Sequence, residues 1–261
     1  MCELYLSSST QPHFPAAELE RLQRHGGEPW TNLQGWGAAW LQGTRDTDTF
    51  GLEKHPDAAR GDPRFDAIEA RAYESPLWLA HLRAASSGGV SLENTQPYQF
   101  AWPEHEGPDA SAPGEDPHRY GVYMHNGELK GMEERLEATF GHDPRQGTAD
   151  SEGGMILLRD RLATQDDIET GWGVFQDWVA DMRAMGIANF IVALGRDVFI
   201  HAHRRTELGA EEADDPGLYL AQDEGRLRLS SEPFMDTDRA LSNGTVLWIR
   251  DGAVVQRGVT S

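Results

Sequence analysis

The sequence predicts an α+β fold in which antiparallel sheets are covered by helices on their outer faces. Two observations carry this. Short apolar runs occupy both ends of the chain around a helical centre, and tight turns join several of them. Gly195-Arg196-Asp197 separates Ile187–Leu194 from Val198–His203, and Asp251-Gly252 separates Val246–Arg250 from Ala253–Arg257. Turns this short connect antiparallel neighbours, whereas a parallel sheet needs a long crossover between successive strands.

From the N-terminus, Cys2–Ser8 reads as a short strand with a polar end. Pro15–His25 carries Leu19 and Leu22 at helical spacing and stops at Gly26-Gly27. Gly35–Leu41, Leu77–Ala85, Tyr98–Trp102 and Gly121–His125 read as four further strands. The loop Glu104–Arg119 is rich in proline and acid and has almost nothing apolar, and Glu207–Gly217 reads as an acidic surface loop. Asp150–Leu162 places Met155, Leu158 and Leu162 on one helical face, and Phe175–Met185 places Phe175, Trp178, Val179 and Met182 on another. No internal repeat or sharp break in composition divides the chain, so one domain over 2–261 is expected, with Met1 removed.

Charge narrows the function. The 261 residues carry a formal charge of -20, and Lys54 and Lys130 are the only lysines. Such a surface repels phosphate backbones and anionic lipid, so neither nucleic acid nor a membrane is an expected partner. Hydrophobic residues at 38% and eight tryptophans supply enough apolar surface for a core. The polar, acidic start lacks the basic and apolar regions of a secretory signal, which predicts a cytoplasmic protein.

Cys2 is the sole cysteine, so it has no partner for an internal disulfide. Once Met1 is trimmed, its thiol and a free α-amine sit on one residue. An α-amine titrates near pH ~8, so it can take the thiol proton and create a nucleophile with its own base. Asn126-Gly127 follows an apolar strand. It reads either as a hairpin turn or as an amide and a backbone N–H that converge on an oxyanion. Arg83, two residues after His81, is either a sheet-rim arginine paired with a carboxylate or a guanidinium fork for a substrate carboxylate, with Ser86 adding a hydroxyl. Asp150 is either a helix N-cap or a carboxylate for a substrate ammonium. Gly35-Trp36-Gly37 reads as tight strand packing, or as a loop in which Trp36 and Gly37 close over the thiolate.

In this order the segments resemble the stand-alone class II glutamine amidotransferases, whose catalytic domain is an N-terminal nucleophile hydrolase. The matching stretches are MCELYLSSS from Met1, GWGAAW from Gly35, HLRAASSGGVSLENTQPY from His81, YMHNGEL from Tyr123 and GTADSE from Gly147, with NFIVALGRDVFIHAHRRT from Asn189 similar to a later hairpin. The resemblance implies a four-layer αββα sandwich of two antiparallel sheets. It also implies attack of Cys2 on the γ-amide of glutamine through a thioester, an oxyanion hole of Asn126 and Gly127, and Arg83 and Asp150 on the α-carboxylate and α-ammonium. Gln34, Ala149, Gln96 and Ser86-Ser87 depart from the family's commoner Asp, Thr, His and Thr-His. These departures leave open free glutamine or another γ-glutamyl small molecule as substrate.

Other readings remain. His201-Ala202-His203 puts two histidines on one strand face, as in a metal-dependent hydrolase. Arg204-Arg205 beside them disfavours a cation and no distal ligand set is evident, so neither a metal nor another cofactor is expected. A catalytically inactive docking subunit with this fold is the non-enzymatic alternative. The intact set of Cys2, Arg83, Asn126, Gly127 and Asp150 argues against it. The ammonia released would go either to a separate synthase or to solvent.

Overall fold

The computed structural model describes residues 2–43, 49–85, 88–102, 119–165, 167–204, 217–223 and 225–260. The loops expected over 104–119 and 207–217 lie almost wholly outside these, as do Met1 and the Ser86-Ser87 pair.

The chain runs β1 (Glu3–His13), α1 (Ala16–His25), β2 (Trp36–Gln42), β3 (Thr49–His55), α2 (Pro63–Arg71), β4 (Ser75–Leu82), β5 (Tyr98–Trp102) and β6 (Arg119–Leu129). Three helices follow, α3 (Met132–Phe140), α4 (Asp150–Leu162) and α5 (Ile168–Met185). The strands β7 (Gly186–Leu194), β8 (Asp197–His201), β9 (Tyr219–Asp223), β10 (Arg226–Ser230), β11 (Arg239–Ala240), β12 (Thr245–Arg250) and β13 (Ala253–Val259) complete it. One sheet has the order β11-β9-β10-β1-β4-β2-β3 and the other β13-β12-β8-β7-β6-β5. Every pairing in them is antiparallel.

Alternation along the strands creates the layers. On β1, Leu4 and Leu6 enter the core between the sheets, where they meet Val122 and Met124 of β6, Ile191 of β7 and Ile200 of β8. Tyr5 points the other way and packs with Leu19 and Leu22 of α1 and Phe65 and Ile68 of α2. On the far side, Tyr123 and Phe190 pack against Leu158 of α4 and Phe175 and Trp178 of α5. The result is helices, sheet, sheet, helices, which is the expected αββα sandwich. Among the described residues no helix is long and apolar enough to cross a membrane.

Two local expectations change. The strand expected over Gly121–His125 continues to Leu129, and Asn126 and Gly127 pair with Asn189 and Ala188 of β7. Asn-Gly is therefore not a hairpin turn, because an uninterrupted partner strand supplies the ladder that a turn would end. The helix α4 has no single apolar stripe. Every residue from Asp150 to Leu158 is buried, since α3, α5, β5 and β6 surround its first turns. The Asp251-Gly252 turn forms as expected, with φ of 47° and 74° at its two residues, the left-handed pair that a two-residue hairpin requires.

The histidines of the supposed metal pair are committed elsewhere. His201 donates Nδ1–H to the Ala188 carbonyl at 2.5 Å, and its Nε2 faces the Arg183 guanidinium at 3.2 Å. His203 accepts the Ala188 N–H at 3.1 Å. Among the described residues no group of three or more His, Cys, Asp or Glu side chains is arranged to hold a metal ion. Burial pushes His201 down to about 3 and His203 to about 4, with Arg183 adding to both shifts. His81, on β4, is pushed down to about 3, chiefly by burial and further by Arg83 and His125. Neither of its ring nitrogens has a hydrogen-bond partner among the described residues.

Two predictions follow from this packing. An unfolded histidine binds a proton below about pH 6.5, whereas these three stay neutral in the fold until far lower. Unfolding therefore takes up protons in this interval, and stability is lost as pH falls from about 6.5 toward 4. Urea unfolding across that range checks it, and His81→Leu should make the dependence shallower while raising the melting temperature at pH 7. Asp62 accepts Arg64 N–H at 2.8 Å as the cap of α2 and the Trp36 indole N–H at 3.0 Å. Asp62→Ala should cost about 2–4 kcal/mol, the sum of a lost cap and an orphaned buried donor. Asp62→Asn should lose less.

Candidate active site

Cys2 immediately precedes β1, the middle strand of its sheet, and by alternation lies on the same face as Leu4 and Leu6. Its sulfur donates to the Ala84 carbonyl at 3.5 Å and accepts the Ala84 N–H at 3.4 Å, just past the end of β4. Burial raises its pKa, opposed by the Ala84 N–H and the Arg83 charge and reinforced by Asp150. A thiol so placed is protonated at neutral pH, so reaction needs a base.

Across the gap between sheets, Asn126 donates Nδ2–H to the Cys2 carbonyl at 2.8 Å. The same nitrogen makes a longer contact of 3.4 Å to Ser231 Oγ, which itself accepts the Leu4 N–H at 3.0 Å. Gly127 follows at the point of closest approach to β7. A Cβ there would lie 1.9 Å from the Ile187 carbonyl oxygen, so only glycine fits.

Arg83 lies just past the end of β4 and is buried. Its guanidinium donates to the carbonyls of Gly89 at 3.0 Å, Gly88 at 3.3 Å and Gln34 at 3.4 Å. Gln34 reaches back through its side chain to accept the Ala85 N–H at 2.6 Å. The segment around the nucleophile is thus fastened from both sides.

Asp150 is the first residue of α4, and Ala149 occupies the cap position, so the aspartate is not an N-cap. Its carboxylate accepts Leu129 N–H at 2.6 Å and is buried. Ser151 bonds His125 Nδ1 at 2.9 Å, and Glu152 accepts the N–H groups of Gln146 and Gly147 at 2.7 and 2.8 Å. Each member of the Asp-Ser-Glu triple therefore holds a different neighbour. His125 donates Nε2–H to the Ile187 carbonyl at 3.0 Å, which makes Nδ1 the acceptor from Ser151. Burial keeps it neutral, pushing its pKa down against the pull of Asp150.

Two residues that carried no role in the sequence reading organise this region. Asn94 accepts the N–H groups of Thr148 and Ala149 at 2.7 and 2.9 Å and donates to Gly89 at 3.0 Å, joining the Arg83 loop to the start of α4. Gln96 accepts the His125 N–H at 2.6 Å and donates to the His125 carbonyl at 3.1 Å. Both lie in the Asn-Thr-Gln-Pro stretch, where the motif itself was the available signal. Tyr98 adds a buried hydroxyl with no partner among the described residues, close enough to feel the charges of Glu152, Arg83, Asp150 and Cys2.

Cys2, Arg83, Gly127 and Asp150 line one small cavity, together with Asn94, Gln96, His125 and Ser151. Its free space is about 20 Å³, room for about one water molecule. Trp36 and Gly37 do not line it. They belong to β2, the Trp36 ring turns into the outer layer toward Asp62, and Gly37 lets the Gln96 carbonyl lie where a Cβ would sit 2.3 Å away. Ser86 is outside the described residues.

Comparison with known proteins agrees with the chain's resemblance and fold. A family model described as glutamine amidotransferases class-II matches residues 1–216. The Escherichia coli K12 protein named "Putative glutamine amidotransferase YafJ" is 26% identical over 207 residues, 77% of this chain and 72% of the relative. The structure of a glutamine aminotransferase class-II domain protein from Silicibacter pomeroyi superposes with a TM-score of 0.62 at 17% identity, over 100% of both chains. Glutamine phosphoribosylpyrophosphate amidotransferase from B. subtilis, complexed with ADP and GMP, superposes with a TM-score of 0.63 at 14% identity. This chain is covered fully in that comparison but spans only 49% of the Bacillus protein. At such identities the two structures show a shared fold. The chain belongs to the class II glutamine amidotransferases.

Proposed function

We propose that the chain hydrolyses the γ-amide of glutamine, or of another γ-glutamyl compound, with Cys2 as an N-terminal nucleophile. What carries this reading is the lining: a thiol, a guanidinium and a carboxylate from three distant segments meet beside Gly127, around a space that must widen to admit the γ-glutamyl group. Glutamine is a zwitterion with a remote amide, so its recognition needs one cation, one anion and a distant nucleophile. In this reading Arg83 binds the α-carboxylate, Asp150 binds the α-ammonium, and the amide carbon lies against Cys2 Sγ. The amidotransferase unit takes in residues 2–261.

The α-amine freed by removal of Met1 takes the thiol proton, and the thiolate adds to the amide carbon. The oxyanion that forms is met by Asn126 and Gly127. One Asn126 N–H fixes the Cys2 carbonyl, and the other, which makes only a long contact to Ser231, is the donor offered to the substrate oxygen. The adduct collapses to a thioester as the α-ammonium gives its proton to the departing ammonia. Water then attacks the thioester, releasing the γ-carboxylate and restoring the thiol. The raised thiol pKa supports the need for the amine, because an isolated thiol in this setting would be poorly ionised.

Three measurements test this. Cys2→Ser, or a form that retains a residue ahead of Cys2, should reduce glutamine hydrolysis to background while circular dichroism stays unchanged; full activity with Met1 in place would falsify the amine-base step. Asn126→Ala should lower kcat about 10²–10³-fold with a small change in KM. Because Asn126 also holds the Cys2 carbonyl, the melting temperature must be recorded beside the kinetics. Asp150→Asn keeps an acceptor for Leu129 N–H but removes the charge, and should cost roughly 2–5 kcal/mol in kcat/KM, mostly through KM. A substrate lacking the α-ammonium should be poor for the wild type and lose little more in Asp150→Asn. Equal hydrolysis of that analogue and glutamine by the wild type would remove the assignment of Asp150. Ammonia measured with the isolated chain, no other protein present, separates simple hydrolysis from obligate delivery to a synthase.

A further inference from the structure

On the other side of the β6 and β7 strand ends lies a second cavity of about 660 Å³, within the range of sites for small organic ligands. Lys130, Arg183, Arg204, His203 and Asn243 line it, and one carboxylate, Glu128, lines it with them. The last turn of α5 also borders it, and its carbonyl ends offset part of the positive charge.

The arginines here differ from six others in the chain. Arg145, Arg161, Arg196, Arg226, Arg228 and Arg250 each meet a carboxylate at 2.5 to 3.0 Å. Arg183 and Arg204 meet none among the described residues. Arg183 has only neutral acceptors, His201 Nε2 at 3.2 Å and Asn243 Oδ1 at 3.4 Å. The Nε of Arg204 is buried and has no hydrogen-bond partner among the described residues. Burial lowers the pKa of Arg183, and the nearby charge of Arg204 lowers it further. Two neighbouring guanidiniums that share no carboxylate among the described residues repel each other, which is costly where they are partly buried. A bound anion removes that cost.

We propose that this cavity is a binding site for a small organic phosphate, with Arg183 and Arg204 holding the phosphate group. A phosphomonoester dianion matches two guanidinium forks in charge and geometry, where a single carboxylate neutralises only one. The volume beyond the phosphate accommodates the rest of a small molecule. The site is separate from the Cys2 cavity, and its existence does not depend on the proposed amide hydrolysis. One wall is shared in structure: Ile187, which lines this cavity, accepts the His125 Nε2–H on the other side.

Isothermal titration of the full chain with ribose 5-phosphate, inorganic phosphate and succinate, at fixed ionic strength, tests the proposal. Ribose 5-phosphate should bind saturably with a Kd of roughly 1 mM or tighter. Arg204→Gln and Arg183→Gln should each weaken it at least ten-fold, Arg204→Lys should fall between, and Arg135→Gln on the exposed face of α3 should leave it unchanged. Without ligand, Arg204→Gln should melt no lower than the wild type, yet lose the rise in melting temperature that ribose 5-phosphate gives the wild type. Absence of saturable binding, wild-type affinity in both arginine variants, or succinate binding as tightly as the phosphate ester would overturn it.

Discussion

The hydrogen bond from Asn126 Nδ2 to the Cys2 carbonyl joins the start of β1 in one sheet to β6 in the other, and the site is arranged around it. Most contacts between the sheets are apolar, Leu4 and Leu6 against Val122, Met124 and Ile191, and a second polar tie runs from the Gly252 N–H to Ser8 Oγ at 3.0 Å. Such packing fixes the separation of the sheets but has no direction. The polar tie at the open end gives it one. It sets which way the first residues of the chain leave the sandwich, and so where the sulfur lies relative to Ala84. Gly127 serves the same end by close approach, since any side chain there would push β7 away from β6.

Behind that tie stands a set of buried polar groups whose partners are mostly backbone. Gln96 holds both backbone groups of His125, Asn94 holds the entrance to α4, and Glu152 holds the turn before it. A buried amide or carboxylate that bonds backbone fixes a loop without needing another side chain in the right rotamer. The family's motif residues divide accordingly. Some face the cavity, and others, such as Gln34 and Glu152, hold the segments that do. Gln96 does both, lining the cavity and clamping His125, which makes its departure from the family's histidine a change in the frame as well as in the lining.

Charge is distributed with the same economy. The chain is strongly acidic, and most of its structurally engaged arginines sit on a carboxylate. Three of the exceptions are informative. Arg83 is buried on backbone carbonyls beside the thiol, and Arg183 with Arg204 lines a cavity of its own. An acidic surface elsewhere makes such positive spots local, since charges beyond about 10 Å are screened.

Hydrophobic periodicity and turn chemistry in the sequence determined much of the fold. Tyr98–Trp102 and Asp150–Leu162 are an observed strand and helix to the residue, and both expected hairpins form, because apolar alternation and left-handed turn residues are local properties. The short or edge elements β3, α2, α3, β9, β10 and β11 were not legible, although Asp62-Pro63 before α2 was a readable start signal. Thr49–His55 is mostly half-buried with no clean alternation, so at this sheet edge the pairing strand and not the pattern decides the structure. Cys2, Arg83, Asn126, Gly127 and Asp150 stood out as residue types in a motif order. Their roles could not be separated from turn, rim and cap readings by spacing alone. Tertiary structure removed the turn and cap readings, since β7 runs unbroken beside Asn126-Gly127 and Ala149 takes the cap position, and it buries Arg83 on backbone carbonyls. The physical reason is that turns and caps are set by neighbours a few residues away, whereas a strand's partner and a cavity's lining come from segments that only packing brings together.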